Sequence, residues 1–510
     1  MRIHWHVDAD VIVVGYGAAG AVAAITACDG GSRVLILEKQ ESLQSRPLIT
    51  NSFMSQGWII GTSDIQGAML YMKAITQVNA DLYWTDKDVI QAWARYTSEN
   101  VKWLEDLGTV VRLSRHGGEH KFMGMESINS YQLPGGGAGL MRLLYHQVKI
   151  RGIEVRYNTP AVDLLMNAKG DVAGVQAKSG NDEESYINVR ARRAVILTTG
   201  GFEFDEQMKL HYLRVYPSYF LGSPANTGDG IRLAMRAGAQ LWHMNCCSGR
   251  FVIKVPEHTI AFNPSFAGKL WSSPGGTAVA ATTAKSTTDE TSGRRVGYIV
   301  VDRAGKRYTK ETIKPHTLYY ELTSFDSQQL SYPRVPSYWI FDQKRIANGP
   351  LVGLLSGAAG PARLYKWSKN NSVEIDRGWI KIGDTIKELG VKLGIPPTTL
   401  VETVNNYNLY CRHGEDIECK RESLTMVPLD TPPFYAVELW PGGPNTQGGP
   451  RRNSRAQIVR PDGTIVHRLY SAGELGSIYG MLYPSGGGNI AECIAFGRIA
   501  GENANAESPQ

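Results

Sequence analysis

The chain has 510 residues, 42% hydrophobic and 20% charged, enough for two or three domains with a deep site between them and ordinary for a soluble globular protein. A net charge of +6, from 54 Lys and Arg against 48 Asp and Glu, comes without a long basic run; it argues against nucleic acid as a partner, and an anionic cofactor is enough to use part of it. Six cysteines in no CxxC or CxxCH pattern argue against an iron–sulfur cluster, structural zinc or attached haem, so no metal site is expected. No apolar stretch approaches the roughly 20 residues of a membrane span. No signal-peptide or twin-arginine pattern precedes the first apolar run, and a soluble cytoplasmic protein is expected.

The first element lies in "ADVIVVGYGAAGAVAAITACDGGSRVLILEKQ". Val11 to Val14 is a β-branched run suited to a strand buried on both faces. Gly15, Gly17 and Gly20 then make G-x-G-x-x-G, and Ala21 to Ala27 predict a small-residue helix. Val34 to Leu37 is a second buried strand, ending in Glu38 eighteen residues after Gly20. The first glycine serves the tight turn, the second admits a pyrophosphate, and the third lets helix pack on strand. Ala18 and Ala19 lie at the helix start that faces the phosphates, and Glu38, with Lys39 beside it, reaches the ribose hydroxyls. An acid there disfavours a 2′-phosphate and leaves FAD or NAD.

Further along, Thr85-Asp86-Lys87-Asp88 reads as a capping box that starts a helix ended by Gly108. "RRAVILTTGGFEFD" (192–205) is a buried strand followed by Thr198, Thr199, Gly200 and Gly201. "NTGDGIRLAMRAGAQLWHM" (226–244), with Asp229, is a turn feeding a helix. Residues 272–295 are poor in bulky apolar side chains and read as a flexible junction, either a lid or a solvated connection. "RLYSAGELGSIYG" (468–480) is a strand that runs into Ser471-Ala472-Gly473-Glu474. Finally, "GMLYPSGGGNIAECIAFG" (480–497) sets one tyrosine, one proline and one serine before three consecutive glycines and a buried helix.

With "GYIVVDRAGKRYTKE", "DTIKELGVKLGIPPTTLVETVNNYN", "TPPFYAVELWPG" and "NTQGGP", these segments resemble, almost end to end, the FAD-dependent fumarate reductase/3-ketosteroid dehydrogenase superfamily. The resemblance implies an α/β protein. A Rossmann-type FAD-binding domain, discontinuous over 1–275 and 438–510, would carry an inserted α+β substrate or capping domain over 276–437. It implies Glu474, after Gly473, on the ribityl chain, the glycines up to Gly488 with Asn489 and Ile490 along the isoalloxazine, and Thr199 and Gly200 on the adenosine side. Ser52 and Ser55 in "NSFMSQG" match the pyrophosphate- and flavin-contacting serine stretch. Members that attach flavin covalently do so through a histidine before that stretch; none occurs between His6 and His116, so non-covalent FAD is expected.

Dicarboxylate reductases of the superfamily carry an arginine in a pattern like N-R-L-G-G-N, and here Ser485 stands at its place. What stands instead, Tyr483 to Gly487, is similar to the Tyr-x-x-x-Gly element of ketosteroid Δ1-dehydrogenases and the Tyr-x-Ser-Gly element of the Δ4-(5α)-dehydrogenases. Removing a proton α to a ketone makes an enolate, and a phenol O–H from Tyr483 with the backbone N–H of Gly487 would meet the developing charge. The resemblance puts the proton acceptor after "GKRYTKE": Tyr319, Tyr320 or His316, with Arg307 or another cation lowering the phenol pKa, and Tyr131 as a relay. The expected activity is introduction of a double bond α,β to a ring ketone, a 3-oxosteroid or a smaller ketone such as cyclohexanone. A diffusible electron acceptor would take the electrons; oligomeric state stays open. The alternatives are a flavin-dependent ene-reductase of an activated olefin and a non-catalytic flavin redox protein.

Overall fold

In the computed structural model, residues 3–41, 48–179, 185–266, 296–354, 357–360 and 362–510 are described. The 272–295 stretch expected to be a junction or lid lies outside them. By internal contacts the chain separates into two compact units. The first comprises Met1–Leu213, Gly222–Ser248 and Asn445–Gln510; the second comprises Arg214–Leu221 and Gly249–Pro444. Among the described residues no helix is long and apolar enough to cross a membrane.

The first unit is built on β1 (Val7–Val14), α1 (Ala18–Asp29) and β2 (Val34–Leu37). A short α2 (Asn51–Met54), β3 (Trp58–Gly61) and the long α3 (Lys87–Asp106) follow. Later in the chain come β4 (Tyr186–Leu197), α4 (Asp229–Arg236), β5 (Ile465–Ser471) and α5 (Gly488–Ala506). Strands β5, β4, β1 and β2 lie side by side and parallel, with the strand Glu154–Arg156 beyond β2. Their register matters most for the site. Val14 pairs with both Leu37 and Leu197, and Leu197 with Ser471, so four carboxyl ends stop at one level. In open parallel sheets that edge is where ligands bind.

Alanines explain how α1 fits. Every residue from Ala18 to Ile25 is buried, and α5 crosses close to this helix. A Cβ on Gly501 would lie 2.6 Å from the carbonyl oxygen of Ala23, and one on Gly497 2.9 Å from Val22. Two glycines four residues apart on α5 therefore admit the backbone of α1. The helix predicted from Thr85 to Gly108 is present as α3, but the capping box is not formed. Asp86 is the N-cap and makes no side-chain cap bond. Thr85 donates instead to the carbonyl of Ile478, and Asp86 accepts Arg451 at 2.7 Å; both are used to tie the helix start to later segments.

In the second unit, Ser337–Asp342 is buried throughout and pairs antiparallel with Tyr298–Val301 and Phe434–Gly443. Tyr219–Phe220 and Arg250–Val252 also pair with Phe434–Gly443, which draws 214–221, 249–275 and 438–444 into a unit expected to span 276–437. Ile299, Ile340, Leu389, Leu400 and Tyr407 are among its core residues.

Gly→Ala inside a helix ordinarily stabilises by about 1 kcal/mol. At Gly501 the added methyl meets a backbone carbonyl that cannot swing away, so Gly501→Ala is expected to destabilise by about 1–3 kcal/mol. Urea unfolding followed by far-UV circular dichroism checks the sign.

Candidate functional site

Just beyond the four aligned strand ends, the first unit holds a cleft with about 790 Å³ of empty space, part of it open to solvent. The residues that follow each strand line it: Gly15 to Ala19 after β1, Glu38 to Gln40 after β2, Thr198 to Gly200 after β4, and Ala472 and Glu474 after β5. Ser52, Asn51, Asn226 and Asp229 complete the wall.

The glycine motif does what its spacing asks. Gly15 has φ +101°, and a Cβ there would press on the carbonyl of Thr198 at 2.6 Å; a Cβ on Gly20 would press on the carbonyl of Gly15 at 2.1 Å. Gly17, by contrast, faces open space, with only the Ser52 hydroxyl at 3.8 Å. It is the N-cap of α1, whose first turn has no side-chain cap bond and no acidic residue. Ala18 N–H donates to the Ser52 hydroxyl at 3.2 Å. An uncapped helix start over an open glycine is a ready phosphate seat.

Glu38 is buried, and burial pushes its pKa up, offset in part by backbone donors. Its Oε2 accepts Tyr16 N–H and its Oε1 accepts Gln40 N–H, each at 2.8 Å, which fixes the carboxylate at the cleft. Lys39 does not extend freely: it pairs with Asp229 at 2.6 Å and donates to Thr227 at 2.8 Å. Deeper in, Glu474 accepts Gly201 N–H at 3.0 Å, Asn226 at 3.2 Å and Asn51 at 2.8 Å. Desolvation, then repulsion from the Glu203 carboxylate, push its pKa well above the usual carboxyl range. Thr199 Oγ1 is buried with no partner among the described residues, yet it lines the cleft. An orphaned hydroxyl, an open glycine and an uncapped helix start fit a dinucleotide cofactor.

Gly20, Ser55, Gly473, Gly488, Asn489 and Ile490 do not line this cleft. Gly20 and Gly473 act on packing: a Cβ on Gly473, with φ +73°, would meet Ala19 at 2.8 Å. Ser55 donates to the carbonyl of Ser52 at 2.8 Å and steadies that turn. Sequence reasoning passed over Asn51, Asn226 and Glu203, although Asn51 opens the serine stretch and Asn226 opens "NTGDG".

At the start of α5, Tyr483 is buried and its hydroxyl oxygen accepts Asn489 N–H at 2.8 Å. The phenol thus sits against the first turn of a 19-residue helix. The three glycines prove to be packing devices. Their Cβ positions would lie 2.4 Å from the Trp58 ring for Gly486, 2.6 Å from the backbone of Trp58 and Ile59 for Gly487, and 3.0 Å from Pro484 and Tyr483 for Gly488. For Gly486 and Gly487 the close approach is to β3, and for Gly488 it is to Pro484 and Tyr483. Ser485 is fully buried, its hydroxyl 3.2 Å from that of Ser130. Tyr131, one residue further along Asn129–Gln132, is not brought to this loop: strand alternation turns it away from Ser130, with its ring by Gly61 and Val101.

In the second unit, Tyr319 and His316 are buried on the helix Pro315–Leu322, and the rings of Tyr319 and Tyr320 meet edge-on at 5.6 Å. Arg307, expected as a cation for these phenols, is committed elsewhere. It holds Glu311 at 2.8 Å and Asp416 at 2.7 Å and lies over Tyr407. The Arg214 guanidinium lies 4.9 Å from the ring centre of Tyr320.

Residues 10–490 match the FAD binding domain family, and the chain belongs to it. It is a flavoprotein, with FAD as its cofactor. It is 30% identical over 390 residues to a 3-oxosteroid 1-dehydrogenase of Mycobacterium tuberculosis, covering 72% of this chain but only 62% of that protein. To a fumarate reductase (cytochrome) of Shewanella frigidimarina it is 28% identical over 98% of this chain and 77% of the relative. The fold matches a 3-ketosteroid Δ1-dehydrogenase from Sterolibacterium denitrificans in complex with 1,4-androstadiene-3,17-dione, with a TM-score of 0.80 at 21% identity over 98% and 99% of the two chains.

Glu38→Ala removes a buried carboxylate from the cleft wall and strands the two backbone donors it accepts from. FAD affinity is expected to fall by about 1.5–3 kcal/mol, the worth of hydrogen bonds to a charged group. Fluorescence titration of apoprotein with FAD measures it.

Proposed function

We propose that this flavin oxidoreductase introduces a double bond α,β to the ketone of a hydrophobic ring substrate, a 3-oxosteroid or a smaller cyclic ketone. The observation that carries this reading is the hydrogen bond from Asn489 N–H to Tyr483. It holds the phenol oxygen against the first turn of the helix that follows, and the phenol O–H at that positive helix end is the donor assigned to the substrate oxygen. Gly487 N–H, with no protein acceptor among the described residues, is the second donor. Two such donors stabilise an enolate oxygen as charge develops on it. Bound FAD supplies the hydride acceptor; a diffusible acceptor takes the electrons onward.

Tyr319 or Tyr320, or His316 on the same helix, is assigned the α-proton. The resemblance to ketosteroid dehydrogenases supports that assignment, and the Arg214 guanidinium lies over the Tyr320 ring. A reductive direction on an activated olefin is the second reading, favoured by the fumarate reductase relative that covers nearly the whole chain.

Mixing the oxidised holoprotein anaerobically with 4-androstene-3,17-dione, 5α-androstane-3,17-dione or cyclohexanone tests the proposal. Bleaching of the flavin band with one of them is the expected outcome. No bleaching with any, and reoxidation of the reduced protein by enones, would move the assignment to the reductive reading. Tyr483→Phe is expected to retain FAD and lower the bleaching rate by about 10²–10³, the effect of losing one oxyanion donor. An unchanged rate removes Tyr483 from the keto site.

A further inference from the structure

One buried carboxyl beside the cofactor cleft has no role in the account above. Glu203 follows the Thr199–Gly201 turn and is fully buried. Its Oε1 accepts the N–H of Thr446 at 2.6 Å and the Thr446 hydroxyl at 3.1 Å, while Oε2 has no partner among the described residues. Glu474 is buried too, and its donors from Gly201, Asn226 and Asn51 are all neutral. The two carboxyls are neighbours: the point a Cβ on Gly201 would occupy is 2.8 Å from Glu474 Oε1 and 2.9 Å from Glu203 Oε1. No ion pair to a lysine or arginine is made by either among the described residues. Of the titratable groups around them, the Cys493 thiol feels the charge of Glu474 and is itself pushed up by burial. Arg452 reaches the carbonyls of Gly473 and Leu475 at 3.3 Å, but its charge is taken by Glu492. Desolvation, then the neighbouring Glu203 carboxylate, favour the protonated form of Glu474, and no cation among the described residues offsets them.

We propose that Glu203 and Glu474 share one proton beside the cleft, whose wall Glu474 helps form, and that this pair makes FAD affinity depend on pH. The proposal rests on the cleft being the FAD site. Losing the shared proton would set a second unneutralised charge beside an anionic cofactor, so binding weakens as pH rises. The fold favours the protonated form of Glu474, and that form is lost as pH climbs through the raised pKa.

Apoprotein titrated with FAD from weakly acidic to alkaline pH is expected to show a Kd that rises by up to about tenfold per pH unit across the window in which the pair loses its proton. Glu203→Gln, which cannot ionise, is expected to hold the low-pH Kd throughout. A flat wild-type Kd, or an equal slope in Glu203→Gln, overturns the proposal. Should the variant fail to fold, infrared difference spectra of the wild-type holoprotein decide. The carbonyl stretch of a protonated carboxylic acid, displaced in D2O, is expected at neutral pH and lost at alkaline pH; its absence at neutral pH overturns the shared proton. Wild-type protein that binds no FAD at any pH refutes the cofactor reading instead, and the infrared band still tests the pair.

Discussion

Everything at the cofactor end depends on how closely α1 is drawn onto its neighbours. Three separate segments come within contact of one another through missing side chains: Gly15 on Thr198, Gly473 on Ala19, and Gly501 on Ala23. Each removes a Cβ where another backbone or methyl already stands, and together they fix α1 over the ends of β1, β4 and β5 on one side and against α5 on the other. The N–H groups of its first turn are then aimed at the level where four strands stop. A looser helix would leave the cleft present and its donors misdirected. Small residues in α1 and α5 therefore serve placement more than stability.

Much of this was legible in the sequence because it rests on local patterns. The β-branched runs, the glycine spacing and the acid after β2 are each dictated within a few residues, and they fold as such. What local pattern cannot reveal is competition from distant partners. Thr85 and Asp86 have the right types for a cap, yet Ile478 and Arg451 claim both. Arg307 looks available to a phenol and is held by two carboxylates, one of them more than a hundred residues away. The glycines after Ser485 suggest room for a ligand, and two of them, Gly486 and Gly487, also admit β3. Asn51 and Asn226 escaped notice for the opposite reason: amides carry no spacing signature until the carboxylate they serve, Glu474, is seen between them.

The charges of the cleft follow a gradient. Near the helix start the wall offers backbone N–H groups and the hydroxyl of Ser52, with Lys39 balanced by Asp229. At the edge of β2, Glu38 is held by two backbone donors, so its oxygens keep further acceptor capacity for hydroxyls. Furthest in, Glu474 is surrounded by neutral amides and an acidic neighbour. Donors at the helix start and acceptors further along are the polarity a dinucleotide needs along its length.

The loop before α5 bears on the choice between substrates. A reductase of dicarboxylates needs a cation that can reach a carboxylate, and in the aligned pattern its arginine falls at Ser485. Here that position is fully buried, its hydroxyl beside Ser130, and Ser130 also donates to the carbonyl of Gly486 at 2.9 Å. Tyr71 donates to the carbonyl of Pro484 at 2.8 Å, so the backbone on either side is held as well. An arginine at 485 would have to break this lattice or bury its charge against hydroxyls, which costs several kcal/mol without a counter-ion. The loop is folded around a small residue at that place, and the phenol of Tyr483 is held at the helix start by Asn489 N–H. A neutral donor in place of a cation suits a ketone oxygen better than a carboxylate.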